Sequence, residues 1–171
     1  FSKTWNQYAK IPKKTIWENI EVYYSRYLSI PKNLLFASSG KRMYLGIKKT
    51  IAEIYKKFNF DLIHAHVALP DGYAGMIIAK KYKKPLLVTI HGGDFLYTIF
   101  KNKKCKKNIE KVINFSQQTI TVSSKLKKIG EKKLKVAHSK TVIIHNGINI
   151  KDIYKGKNHL IKKYEGKKII L

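Results

Sequence analysis

Residues 61 to 94, DLIHAHVALPDGYAGMIIAKKYKKPLLVTIHGGD, constrain the fold more than any other stretch of the chain. Two short apolar runs, each rich in β-branched residues or Leu, end in clusters of His, Asp and Gly. One helix-length amphipathic segment separates them. That order is a β-α-β unit whose strand ends carry polar groups. In open parallel sheets, ligands bind in the crevice beyond the carboxyl ends of the strands. The chemistry of this chain is therefore expected at those ends.

The segments around this unit extend the same alternation. Residues 1 to 17, with Trp5, Tyr8, Pro12 and Trp17, lack a clear period and read as a loop. Residues 20 to 28 read as a strand that Pro31 terminates. Met43, Ile47, Ile51, Ile54 and Phe58 recur at helical spacing, with Lys48, Lys49, Lys56 and Lys57 on other faces, so 40 to 58 is an amphipathic helix. The central unit resolves into strand 61–67, helix 72–82 with Asp71 as its cap, and strand 85–90. Residues 95 to 107 are polar and basic, a loop or short helix. Ile109, Val112, Ile113 and Ser116 mark a further helix. Strand 119–122 leads to a helix capped by Ser123 or Ser124, and strands follow at 141–145 and 168–171. Strands alternating with helices imply a parallel α/β sheet. A start at Phe1 and an end inside a strand-like run are what a piece of a longer protein shows.

The formal net charge is +26, the sign that neutralising phosphates requires. Yet of 36 Lys and Arg only Arg26 and Arg42 are arginines, the side chain that forks onto guanine edges and phosphates. The expected partners therefore do not include nucleic acid, and a basic nucleic-acid-binding module stands only as an alternative reading. The lysine excess fits either an AT-rich coding bias or an anionic membrane surface. Cys105 is the single cysteine, which excludes an internal disulfide framework or a cysteine-based zinc site and fits a reducing compartment. No apolar run approaches the roughly 18 residues of a membrane span, and nothing resembles a signal peptide.

Four strands end in polar groups: His64 with His66, His91 through Asp94, Ser123 with Ser124, and Asn146 with Gly147. Aligned along one sheet edge they make a cleft. His64 and His66 flank Ala65 and so share one face of their strand. With His91 and Asp94 they form the candidate set for a metal-dependent hydrolase, with Asp71 in reach. The plainer reading has one histidine packed and hydrogen-bonded and the other lining the cleft. Gly92 and Gly93 allow a sharp turn with exposed amides, suited to close approach of a sugar or phosphate. Asp94 then accepts sugar hydroxyls, orients His91 or caps a helix. Pro70-Asp71-Gly72 is a rigid turn followed by a cap, and Asn146-Gly147 is a turn signal in any protein. Ser123 lacks a nucleophile-elbow context and reads as a helix cap.

The succession DLIHAHVALPDG, PLLVTIHGGD, ITVSS and TVIIHNGIN resembles the N-terminal domain of glycosyltransferase family 4 enzymes, of the GT-B fold, over about residues 20 to 171. The resemblance implies a Rossmann-like parallel sheet with helices on both faces. Residues 1–166 would form a partial acceptor-side domain, and 167–171 the start of a second, nucleotide-sugar-binding domain. It implies a retaining transfer from a nucleotide-sugar donor to a polysaccharide or lipid-linked acceptor, with no required metal or other cofactor. It also implies a cytoplasmic protein, peripheral to the inner face of the cell membrane. Carried onto this chain, His91 faces the reacting sugars as the catalytic residue. Gly92, Gly93 and Asp94 shape that wall, His66 and Pro70, Asp71 and Gly72 sit beside it, and Asn146 and Gly147 lie near the passage between domains. Gly93, His145 and Asn149 depart from the usual Ser, Pro and Asp of the family. The family's phosphate-contacting Gly-rich loop would lie upstream of Phe1, so the piece alone is expected to be inactive.

Overall fold

The computed structural model describes residues 10–134, 136–150 and 166. The loop at 1–9, the strand at 168–171 and the domain boundary at 166/167 lie outside the described residues, in whole or in part. The first structured element is a hairpin of β1 (Lys14–Trp17) and β2 (Ile20–Tyr23), paired antiparallel with Lys14 opposite Tyr23. Its two-residue turn, Glu18-Asn19, holds both residues at positive φ, 48° and 66°, the backbone whose twist matches that of paired strands. Lys14 bonds Glu21 across it, and Tyr23 bonds the same carboxylate from further along β2. The expected loop at 10–17 is thus partly strand, and the strand expected over 20–28 ends at Tyr23. Glu-Asn is an uncommon pair for this turn, and nothing local announces it.

Beyond the hairpin the chain is α1 (Ser39–Lys57), β3 (Ile63–His66), α2 (Tyr73–Tyr82), β4 (Leu86–Ile90), α3 (Lys103–Phe115), β5 (Gln118–Thr121), α4 (Ser124–Leu134) and β6 (Thr141–Ile143). Strands β3, β4, β5 and β6 pair in that order and all run parallel. The parallel α/β sheet read from the alternation is present.

Parallel pairing puts registered residues on one face, and this decides where the core lies. Ala65, Val88, Thr119 and Thr141 form one row; Ile90 and Thr121 continue it toward the carboxyl edge. All six are buried, Val88 and Ile90 completely. Burying such a side chain contributes about 1.5–3 kcal/mol. Helices α2 and α3 cover this face, and the fit is close. A Cβ on Gly72 would lie 2.8 Å from Val112 of α3, and one on Gly75 3.1 Å from Leu86. Helix α1 stacks Tyr55 on Tyr82 of α2 at 4.3 Å between ring centroids. Of the two faces expected to carry helices, these residues fill this one. The other presents His64, His66, Leu87 and Thr89, of which only Thr89 is buried.

The basic stretch expected as a loop or short helix at 95–107 is largely helical. Turns at Asp94–Thr98 and Ile99–Lys101 lead into α3. Asn102 caps α3 by accepting from the Cys105 amide at 2.8 Å, worth about 1 kcal/mol. The buried face of α3 is Cys105, Ile109, Val112 and Ile113, at steps of four, three and one. Lysines flanking Cys105 hide the first position of that face from a reading by hydrophobicity.

Candidate functional site at the carboxyl edge of the sheet

Strands β3 and β4 are neighbours, so the residues that follow them are forced together. His66 is the last residue of β3 and pairs with Thr89, two before His91. The result is a hydrogen bond between His66 Nδ1 and His91 Nε2 of 2.9 Å. The rings stack 5.2 Å apart at 17°. His64 lies 4.6 Å from the His66 ring and bonds the Thr89 hydroxyl through Nε2 at 2.8 Å. The three imidazoles form a ladder on the open face of the sheet. Burial, and after it the charges of His66 and His91, holds the His64 imidazole below its ordinary pKa.

The His66–His91 bond needs one ring nitrogen to donate and the other to accept, so both rings cannot be protonated in this arrangement. Between neutral rings it has two tautomeric forms. In one, His91 Nδ1 carries a proton and can donate; in the other, it accepts. Either way one nitrogen of the exposed His91 ring is tied to His66, which fixes the ring plane and points the remaining chemistry outward.

The backbone under this ladder is held by Asp94. Its side chain is only 2% exposed, and its two oxygens accept from the amides of Ala68 at 2.8 Å and Leu69 at 3.2 Å. The chain turns sharply just before them: Val67 has φ 68°, an uncommon conformation for a β-branched residue. Asp94 thus straps the loop after β4 to the loop after β3. Burial pushes its carboxyl up, and the two amides and His91 oppose that rise. Both its oxygens are committed to backbone amides, those that open the turn Ala68–Gly72 leading into α2.

Asp71 is half-buried beside this strap. Burial first, and then the charge of Asp94, pushes its carboxyl up to about 6, with His66 working the other way. Pro70 is half-buried next to it, while Gly72 is buried against Val112 and the Val67 carbonyl. Gly92 is buried with φ 132°, a backbone that favours glycine. Gly93 is exposed, with an ordinary φ of −51°, and a Cβ there would meet nothing within 4 Å. That open space directly follows His91 and Gly92.

The fourth strand end stands apart. Asn146 and Gly147 are exposed, and a Cβ on Gly147 would meet nothing within 4 Å. Three strand spacings separate β3 from β6, roughly 14 Å. His145 ties this end to the Val122 carbonyl at 3.1 Å. Ser123 accepts from the Leu126 amide and caps α4, as its context suggested. So the structure brings His64, His66, His91, Asp71 and Asp94 together and leaves Asn146 and Gly147 at the far end of the edge. Among the described residues, no group of three or more His, Cys, Asp or Glu is arranged to hold a metal ion. Two neighbours escaped the sequence reading. Thr89 is the one polar residue in the apolar run of β4, and that interruption was its signal. Tyr27, whose hydroxyl burial and the Asp71 charge push up in pKa, had none.

The family model of Glycosyltransferase Family 4 matches residues 14–152. A putative teichuronic acid biosynthesis glycosyltransferase of Bacillus subtilis, TuaC, is 28% identical over 76% of this chain and 33% of its own length. Alpha-monoglucosyldiacylglycerol synthase of Acholeplasma laidlawii is 29% identical over 74% of this chain and 33% of its own. The chain spans about a third of the length of these relatives. In fold it is similar to the crystal structure of Anabaena Alr3699/HepE in complex with UDP-glucose. That match has a TM-score of 0.56 at 20% identity, over 68% of this chain and 30% of the other.

Proposed function

For a chain that belongs to Glycosyltransferase Family 4 and has the α/β fold of GT-B glycosyltransferases, we propose that it forms the acceptor-side wall of a retaining glycosyltransferase. The full protein moves a sugar from a nucleotide-sugar donor to a polysaccharide or lipid-linked acceptor. The bond from the anomeric carbon to the donor phosphate breaks and one to an acceptor hydroxyl oxygen forms. The hydroxyl proton leaves with the phosphate, so the nucleotide and the lengthened acceptor are the products. No metal or other cofactor is required in this reading. The reaction runs on the cytoplasmic side, at the inner face of the cell membrane. A second domain grips the nucleotide, and without it this chain does not turn over.

One observation carries the reading: an exposed His91 whose ring is fixed by His66 at the carboxyl edge of a parallel sheet. A fixed imidazole beside a turn with open space at Gly93 suits hydrogen bonding to a sugar oxygen. His66 and Asp71 lie at its side, while Gly92 and Asp94 hold the loop in place beneath it. The similarity to a putative teichuronic acid biosynthesis glycosyltransferase, to an alpha-monoglucosyldiacylglycerol synthase and to a protein crystallised with UDP-glucose supports the same substrate classes. The test is transfer by the full protein from a set of nucleotide sugars, with the anomeric configuration of the product read by NMR. An inverted product would sink the retaining assignment. Transfer undiminished in His91→Ala would sink the site.

A further inference from the structure

A groove of about 380 Å³ lies between α1 and the chain that leaves the β1–β2 hairpin. Residues 24 to 28 run antiparallel along the helix there. The Ser25 hydroxyl donates to Thr50 Oγ1 at 2.9 Å, and Arg42 donates to the Leu28 carbonyl at 3.0 Å. Between these two ties Gly46 lets the backbones touch, because a Cβ there would run into the Arg26 carbonyl. Three kinds of group line the groove. Tyr24 supplies an aromatic ring and is 44% exposed, whereas the Tyr23 ring already has the Lys14 ammonium 5.3 Å from its centroid. Ser25 and Thr50 supply hydroxyls. Lys13, Arg26 and Lys49 stand exposed along it, and among the described residues Glu53 is its one lining carboxylate. The groove leads toward the reaction edge, where α1 begins: a Cβ on Gly40 would lie 3.0 Å from the Pro70 carbonyl. From Gly40 to Glu53 the helix rises about 20 Å.

We propose that this groove binds a stretch of acidic polysaccharide, holding an acceptor chain some way behind the end that is extended at His91. Each lining group has a counterpart in such a chain. The Tyr24 ring offers an apolar face to the C–H face of a sugar ring. A hydroxyl has one donor and two acceptor sites, so the Ser25–Thr50 pair keeps capacity for sugar hydroxyls, and the Glu53 carboxylate accepts from them. Lys13, Arg26 and Lys49 pair with carboxylates carried along the chain. A bare phosphate would use the cations and leave the ring and the hydroxyls idle. A bilayer is flat, and this site is concave. A comparable set of lysines on α4, Lys125, Lys128, Lys132 and Lys133, lines a pocket without an aromatic ring. The inference rests on the reading that the acceptor is a glycan and adds its charge and its path; the transfer step does not enter it.

The test is calorimetric titration of the full protein with oligogalacturonate and with a neutral dextran oligosaccharide of the same length. Oligogalacturonate is expected to bind, less tightly as salt is raised, and dextran to bind far more weakly. Tyr24→Ala is expected to weaken oligogalacturonate binding about fivefold, the usual effect of truncating a central tyrosine, while Tyr24→Phe keeps the ring and the binding. Lys13→Glu combined with Lys49→Glu is expected to weaken it about tenfold, by reversing two exposed charges. Lys132→Glu combined with Lys133→Glu makes the same change in net charge on α4 and is expected to leave most binding intact. All four lysines are exposed, so both pairs should keep the parent's thermal midpoint. Equal losses from the two lysine pairs would overturn the proposal, as would parental binding in Tyr24→Ala or dextran bound as tightly as oligogalacturonate. His91→Ala separates the two readings: it should bind oligogalacturonate like the parent, whatever it does to transfer. Transfer to a short acceptor that cannot reach the groove should survive Tyr24→Ala.

Discussion

Two strand ends of this sheet carry the same kind of sequence and have become different things. After β3 and β4, His66 bonds His91 and Asp94 straps the loops by two amides. After β6, Asn146 and Gly147 stand exposed at the edge. Both are polar residues and a glycine following an apolar run. The difference lies in the neighbour. Strands β3 and β4 are adjacent and offset, so one loop reaches over the other and exchanges bonds with it. Among the described residues the end of β6 meets only β5, whose loop gives it the single bond from His145 to the Val122 carbonyl and otherwise caps α4 through Ser123.

The largest test of this contrast is Asp94→Ala. It strands two buried amides beside the strained Val67, and the loss in denaturant unfolding should be about 3 kcal/mol, from two hydrogen bonds to a charged group. Asp94→Asn keeps an acceptor and should cost less. A cost for Asp94→Ala no larger than that of Asn146→Ala would break the comparison. Next comes His91→Ala, which should leave the fold intact and lower turnover of the full protein about 100-fold, the usual effect of removing one fixed hydrogen-bonding group at a reacting centre. Gly93→Ala sharpens this, because its backbone and the space around it accept a Cβ. Lost activity with unchanged stability would mark the close approach of a ligand.

The Asp71 prediction concerns pH. Its folded pKa of about 6 lies above the ordinary value of 3.8, so the folded state holds the proton more tightly. The stability this confers is full below the unfolded value and is lost as pH rises toward about 6, after which the penalty of a charged Asp71 is constant. Asp71→Asn should therefore stabilise most at about pH 8, with the gain shrinking toward pH 4 in thermal melts. A gain independent of pH would mean that the carboxyl is not the cause. His64 has the opposite sense. Its lowered pKa means that acid, below its ordinary value of 6.5, works against the fold. The smallest effect should come from Asn146→Ala, within about 0.5 kcal/mol in stability, as for other exposed positions.

Much of this was legible in the chain. The apolar steps of α1, the β-branched runs of β3 and β4 and the Ser123 cap are local patterns, and local patterns survive into the structure. Lys14–Trp17 and the start of α3 were not legible in the same way. A Glu-Asn turn carries little signal, and lysines around Cys105 mask a helix that only the core beneath it selects. For the site, the residue types at the ends of β3 and β4 were plain, but their division of labour was not.

The sequence by itself determined that strands and helices alternate, that their polar ends gather along one edge, and that His64 and His66 share a face. Those properties depend on residue period and on chain direction. The tertiary structure decided that His66 and His91 become partners, that Asp94 turns inward to backbone amides, and that Asn146 stands aside. These depend on which strands are neighbours and in what register, between residues 25 or more positions apart in the chain. No local pattern encodes that choice, because a hydrogen bond between distant residues exists only once packing has set their distance and angle.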